Sequence, residues 1–423
     1  MSYAADPHPK TVAVTDKSTG VTKHRTASSA AYKESKIIDV RIPSQNALSP
    51  GFPSGQLCVF DWKGMDITYV KKVRCQVQIL NSDPTLAATL VPAPFLFQSW
   101  TIFANEGNGS LQLYPDTDWF VNLQGLDPCR TACRAQAEGW NYTTGLATND
   151  YTSVGQTIAA GATATYWIEL NTFINQSGLP VHRDVCKPFR FEGLMCTNPL
   201  ISTSAMTNTA HLSVTNVVMY VTGEKLHDGA LKKLKAKLAT GIHQYSASVP
   251  WRTSIGLNAL ASGAQFTASL STLDGHFSSI IMLLRQQSAS SSNRPEQQYQ
   301  YDHTAPYSPS KFQLDQIALL GDGGVSWYNT QTLTDVQARI LRDRDFMDSF
   351  FPLNFRAYDL LLNSHPIETE QMGRPGWVKI TRNWQIQAIP IATGGLDCEM
   401  VLIGMRRAEI DLCPDGTVQL NQV

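Results

Sequence analysis

The sequence predicts an all-β chain built from two consecutive β-sandwiches, and three observations carry that prediction. Apolar and polar residues alternate with a period of two through run after run, with Gly, Pro, Asn and Asp between the runs. Charged residues make up only 16% of the chain, below the roughly 25% of ordinary globular proteins, while Ser, Thr, Asn and Gln are abundant, a balance that suits sheets and polar loops. The length of 423 residues exceeds one hydrophobic core and predicts two domains of roughly 200 residues each.

Residues 1–35 show no sustained period and are rich in Ser, Thr and Ala; they read as a flexible N-terminal arm, either an ordinary disordered terminus or a segment that orders against a neighbouring subunit or an interior surface. The first sandwich spans 36–223. Its runs are "KIIDVRIP", "QLCVFDW", "ITYVKKVRCQVQIL", "FQSWTIFAN", "SLQLYPDTDWFVN", "ATATYWIEL" and "HLSVTNVVMYV". In the third of these Val73, Cys75, Val77 and Ile79 share one face and Arg74, Gln76 and Gln78 the other, which makes Cys75 a small core residue. In "ATATYWIEL", Ala164, Tyr166, Ile168 and Leu170 alternate with Thr165, Trp167 and Glu169.

The pattern breaks at 224–241, where Leu226, Ala230, Leu231, Leu234 and Leu238 fall at helical spacing with Lys225, Lys232, Lys233, Lys235 and Lys237 between them. This predicts a short basic amphipathic helix linking the two β domains. Its lysine face is read either as a solvated surface or as a contact with anionic lipid or nucleic acid. The second sandwich spans 242–412. Its clearest run is "GWVKITRNWQIQAIPI", where Val378, Ile380, Trp384, Ile386 and Ala388 alternate with polar neighbours and Arg382 interrupts the apolar face. A loop is expected over Ser290 to His303, a helix in "TLTDVQARILRDRDFMDSF", and a tail at 413–423.

The halves repeat a pattern. Placing Phe97 and Gln98 on Phe312 and Gln313 puts Ile102 on Ile317 and Gly109 on Gly324, each within a strand, a Gly-rich turn and a second strand. Each half has about the number of strands a jelly roll needs, eight in two packed sheets. The stretch "WTIFANEGNGSLQLYPDTDWF", Trp100 to Phe120, has an aromatic-rich strand ending in an Ala-Asn-x-Gly turn and a second strand leading into Tyr-Pro. With "GWVKITRNWQIQAIPI" and "CEMVLIGMRRAEI" it resembles the double jelly-roll major capsid proteins of icosahedral viruses, tectivirus-like lineages that often enclose a membrane. The turn departs from the family's Asn-Asn-Gly in reading "NEGNGS". The resemblance covers most of 36–412 and implies a homotrimer of pseudo-hexagonal outline that tiles a shell. It further implies penton and minor capsid proteins as partners, the virion as location, and the five lysines as an inner-surface contact with lipid or genome.

Other chemistry finds little support. The net charge of -1 gives no global reason to expect a nucleic-acid binder, and sequence-specific nucleic-acid binding is not expected. No nucleophile elbow, phosphate loop, zinc-protease motif or dinucleotide fingerprint occurs, so no catalytic residue, cofactor or metal is assigned. Asp116 and Asp118 read as capping residues at a corner, Cys129 and Cys133 lack partners at ligand spacing, and Asp343, Asp345 and Asp348 lack the rest of a calcium loop. The sequons at Asn108, Asn141 and Asn175 read as chance. No charged leader precedes an apolar run, and none approaches the ~18 apolar residues of a spanning helix; synthesis in the host cytoplasm as a soluble chain is the expectation. The competing function is a β-sandwich spike or glycan-binding attachment protein using Trp119, Trp140 and Trp327, although no stalk is visible.

Overall fold

The computed structural model describes residues 11–15, 22–26, 35–114 (apart from 47, 92 and 108), 156–256 (apart from 171 and 201–203), 264–286 (apart from 273), 313–330 (apart from 325), 357–359, 378–392 and 398–422. Within the arm, β1 (Thr11–Thr15) and β2 (Thr22–Thr26) pair antiparallel. The alternation over "TVAVT" is too short to stand out as a sustained period in sequence, and the backbone ladder with β2 supplies what the local period lacks.

Among the described residues the first roll has eight main strands: β3 (Ser35–Pro43), β4 (Leu57–Asp61), β5 (Tyr69–Asn81), β7 (Phe97–Ala104), β8 (Gly109–Tyr114), β10 (Thr163–Glu169), β11 (Arg190–Met195) and β12 (Leu212–Leu226). They form two sheets, ordered β10-β5-β12-β3 and β4-β11-β7-β8. Between them in sequence, β6 (Ala88–Leu90) and β9 (Gln156–Ile158) pair separately. The second roll repeats this with β13 (His243–Gly256), β14 (Phe266–Ser269), β15 (Gly275–Gln286), β16 (Gln313–Leu320), β17 (Ser326–Thr330), β18 (Ala357–Asp359), β20 (Gln385–Ala392) and β21 (Cys398–Leu412). Its sheets run β13-β21-β15-β18 and β14-β20-β16-β17. Counted along each roll, both halves pair first with eighth, eighth with third and third with sixth in one sheet, and second with seventh, seventh with fourth and fourth with fifth in the other. That is the jelly-roll order.

Alternation explains the strands. Val73, Cys75, Val77 and Ile79 are fully buried, while Arg74, Gln76 and Gln78 on the other face are half-exposed. Burial pushes the Cys75 thiol well above its usual range and the Cys58 thiol up to about 12, so both are inert packing groups. Aromatic rings fill the first roll: Trp62 stacks on Phe191 at 4.6 Å and Phe97 lies 4.5 Å from Trp100. Gly193 on β11 makes room for this cluster, because a Cβ there would sit 2.9 Å from Phe97 and Trp100.

Three sequence expectations shift. The penultimate run is two strands, β19 (Val378–Ile380) and β20, separated by a turn in which Trp384 N–H donates to Thr381 O at 3.2 Å. Arg382 interrupts the apolar face because it sits in that turn. The stretch 413–423 carries a strand, β22 (Val418–Gln422), which folds back on β21 through a turn closed by Cys413 and Thr417. The repeat also slips: the left-handed turn residue is Glu106 (φ 64°) in the first roll and Gly323 (φ 73°) in the second, so turn matches turn two residues out of the sequence pairing. Bulges near the start of β16 take up the difference.

Candidate functional site

One end of the molecule carries the helix that links the two rolls. Ser35, where β3 begins, pairs with Leu226 at the end of β12. Helix α2 (Asp228–Leu238) then leads to His243, where β13 begins opposite Leu412. The first strand of each roll thus starts, and the last strand ends, at this common base. A shorter helix, α1 (Phe173–Ser177), lies in the loop between β10 and β11. Asn175 closes its first turn, its Oδ1 accepting from Thr172 N and Oγ1 at 2.6 and 2.9 Å.

The five lysines do not share one face. Lys225 lies on β12 opposite Lys36 of β3, because the ladder with β3 runs on to Leu226 and the helix starts only at Asp228. Its Nζ is 2.8 Å from Asp66 Oδ2. Lys235 Nζ is 2.7 Å from Asp184 Oδ2. These bonds hold both carboxyls below the usual carboxylate range. Lys232, Lys233 and Lys237 are exposed and have no ion-pair partner among the described residues. Leu231 and Leu238 are buried beneath the helix. Asp228 in its first turn and Lys235 and Lys237 in its last complement the helix dipole.

Between the helix and the first roll sits His182, 5% exposed. Its Nδ1 accepts from Asp184 N at 3.2 Å, and Asp184 Oδ2 lies 3.8 Å away. Burial pushes the imidazole below its ordinary value against the pull of Asp184 and Asp66. Arg183 Nη2 reaches Asp66 Oδ1 at 3.4 Å. The second roll has a matching brace, with Arg382 Nε 3.3 Å from Asp274 Oδ2. In both, the loop before the seventh main strand is tied to the corner before the third.

The rolls meet at this base. Asn105, in the left-handed region at φ 55°, clasps the C-terminal strand: its Nδ2 donates to Val418 O at 2.9 Å and its Oδ1 accepts from Val418 N at 2.8 Å. Lys187 N donates to Gly416 O at 2.8 Å, and its Nζ donates to Thr417 Oγ1 at 3.0 Å. Helix α1 and β8 of the first roll pack against β13 of the second. Phe173 and Ile174 therefore belong to one continuous apolar core with Ala247, Val249, Ala408, Ile410, Leu412 and Val418. Sequence reasoning missed this clasp; the signal available was the Ala-Asn-x-Gly turn, whose Asn has no partner nearby in sequence.

Asp116, Asp118, Trp119, Cys129, Cys133, Trp140, Asp343, Asp345 and Asp348, with the loop expected at 290–303 and the helix expected in "TLTDVQARILRDRDFMDSF", lie outside the described residues, and Trp327 falls on β17. Among the described residues no cluster of metal-ligating side chains occurs, and no helix is long and apolar enough to cross a membrane.

No protein-family model and no curated protein sequence matches the chain. Solved structures do. A crystal structure of VP54 from the virus PBCV-1, fitted into a reconstruction of the Sputnik virophage, is similar with a TM-score of 0.64 at 11% identity, over 91% of this chain and 96% of that one. The Faustovirus major capsid protein is similar at 0.53 and 9% identity, over 92% and 90% of the two chains. The mavirus major capsid protein gives 0.52 and 9% over the same shares. With two rolls of one strand order, joined end to end, and this likeness along nearly the whole length, the chain has the double jelly-roll fold found in these viral capsid proteins.

Proposed function

We propose that this chain is the major capsid protein of an icosahedral virus, a structural, non-enzymatic subunit whose homotrimers form pseudo-hexagonal capsomers. The observation that carries the reading is the exact-order duplication: two rolls of identical topology, standing the same way up and joined at one base. Three such chains present six similar lobes, which lets a three-fold object fill a six-fold lattice position. In this reading the rolls span 36–223 and 242–412, the partners are other copies, penton and minor capsid proteins, and the location is the virion. The solved neighbours, described as major capsid proteins, support it.

Electron-microscope class averages of the purified protein down its symmetry axis test it. A six-lobed trimer is expected; a monomer, or a trimer with three single lobes, overturns it.

The base is read as the inner end, with Lys232, Lys233 and Lys237 facing anionic lipid headgroups or genome. Each lysine near an anionic surface contributes about 1 kcal/mol. Lys225 and Lys235, held by Asp66 and Asp184, contribute less. Changing the three open lysines to Gln is expected to weaken binding to vesicles containing phosphatidylserine in sedimentation assays, while K225Q and K235Q change it little; equal losses would overturn this assignment.

A further inference from the structure

The charged cluster under α2 holds more than a lysine contact needs. Asp66 and Asp184 face Lys225, Lys235 and Arg183, with the buried His182 among them. Lys225 and Arg183 both bond Asp66, whereas Asp184 is bonded by Lys235. The second neighbour of Asp184 is His182, and both approach the same oxygen: Oδ2 is 2.7 Å from Lys235 Nζ and 3.8 Å from His182 Nδ1.

The hydrogen bonds fix where a proton enters. Nδ1 accepts from Asp184 N, so the neutral ring carries its hydrogen on Nε2. A second proton therefore lands on Nδ1, breaks that bond and makes the nitrogen a donor beside Asp184 Oδ2. The loop cannot carry Asp184 away, because Val181 N donates to Thr68 O and Arg183 N to Met65 O at 2.8 and 2.9 Å. Lys235 can leave: its side chain is 40% exposed on a flexible stem, and Leu231 and Leu238 keep the helix seated without it. The groups facing the ring are Asp184 and Arg183 from its own loop, Asp66 from the loop between β4 and β5, and Lys235 from α2. The carboxylates draw the added charge and the cations repel it, so the proton presses on Lys235 both directly and through Asp184.

We propose that acid strengthens the contact of the base with an anionic lipid surface: a proton at His182 Nδ1 takes Asp184 from Lys235, and the freed lysine joins Lys232, Lys233 and Lys237. The inference rests on the reading of those lysines as a surface contact, and adds its regulation. Lipid fits better than nucleic acid because Ile242, just past the helix, is 62% exposed, and an apolar side chain beside lysines gains from a bilayer interface and not from a phosphate backbone. A pH window exists for the exchange. Burial lowers the imidazole below its ordinary value, and the lysines hold Asp66 and Asp184 below theirs, so between the two the ring is charged while both carboxylates remain ionised.

The test is sedimentation of the full chain with phosphatidylglycerol vesicles at pH 7.5 and 5.0. His227 and His243 also lie at the base and are unchanged in every variant, so the readout is the ratio of the two partition coefficients. One further lysine at an anionic surface is worth about fivefold. His182→Asn, Lys235→Gln and Asp184→Asn are each expected to lower the ratio about fivefold from wild type, the last by binding more tightly already at pH 7.5. Asp228→Asn, which removes an equal charge from the exposed start of α2, is expected to keep the wild-type ratio. A wild-type ratio in His182→Asn overturns the exchange and leaves the lysine contact standing. Wild type that binds at neither pH, or binds a DNA duplex and not the vesicles, overturns the lipid contact and the exchange with it. Should His182→Asn fail to fold, Asp184→Asn decides: a lowered ratio supports the exchange, and a wild-type ratio overturns it.

Discussion

The two rolls share a strand order and a brace but differ in how each ends. In the first, the last strand runs on into α2 and its lysines. In the second, the last strand turns back on itself as β22 and is clasped by Asn105. The duplicated unit therefore keeps its sheets, where every pairing constrains the next, and varies the segments that follow its last strand. The variable part is where the proposed contacts with other molecules lie.

Close packing gives the sharpest way to compare the final strands. A Cβ on Gly223 of β12 would overlap the Tyr69 carbonyl and an Ile67 methyl, whereas one on Gly404 of β21 would meet the Phe277 ring edge at 2.8 Å and Trp251 at 3.3 Å. Backbone cannot step aside as a ring can. Gly223→Ala is expected to cost about 3 kcal/mol, and Gly404→Ala nearer 1 kcal/mol, in urea unfolding; equal losses would mean that the first roll yields as readily as the second.

The clasp comes next in size. Asn105→Gly keeps the left-handed backbone while removing both bonds to Val418, and is expected to cost about 1–3 kcal/mol. Hydrogen exchange should speed up at 418–422 and not in β12. Unchanged exchange at the C-terminal strand would show that the Lys187 contacts suffice to hold it.

Acid should loosen the first roll's base. His182 is depressed by burial, and Asp66, Asp184 and Asp415 are depressed by bonds from Lys225, Lys235 and Thr417 respectively. Each group binds fewer protons folded than unfolded, so each contributes stability that is lost as pH falls. The His182 share is complete above about 6.5 and goes as pH drops through its lower folded value; the carboxylate shares are complete above about 4 and go below that. A falling urea midpoint between pH 7.5 and 5 is expected, and His182→Asn, which keeps an acceptor for Asp184 N–H, should flatten that upper arm.

The smallest effect is expected at the braces. Arg183–Asp66 and Arg382–Asp274 are solvent-exposed pairs, and Arg183→Met or Arg382→Met should each cost about 1 kcal/mol or less. The loss at Arg382 should vanish at high salt, while the loss at Arg183 should persist in part, since Asp66 also holds Lys225. Identical salt dependence would make the two braces equivalent.

Much of this architecture was legible because strand patterning is local. The faces of β5 and β10 and the leucine spacing of α2 are properties of neighbouring residues, and a side chain's face follows from a period of two or of 3.6. Single positions that broke the pattern were read less well. Arg382 looked like a flaw in a strand and proved to mark a turn, because its partner Asp274 is 108 residues away.

By itself, the sequence determined an all-β chain of two repeated sandwiches with a basic helix between them, since alternation, composition and length need no knowledge of what touches what. Only the tertiary structure decided the strand order, the common base, and which lysines are spoken for. Each depends on contacts between distant residues: Lys225 meets Asp66 across 159 residues and Asn105 meets Val418 across 313. Such pairings are set by how whole sheets stack and leave no period in the chain to read.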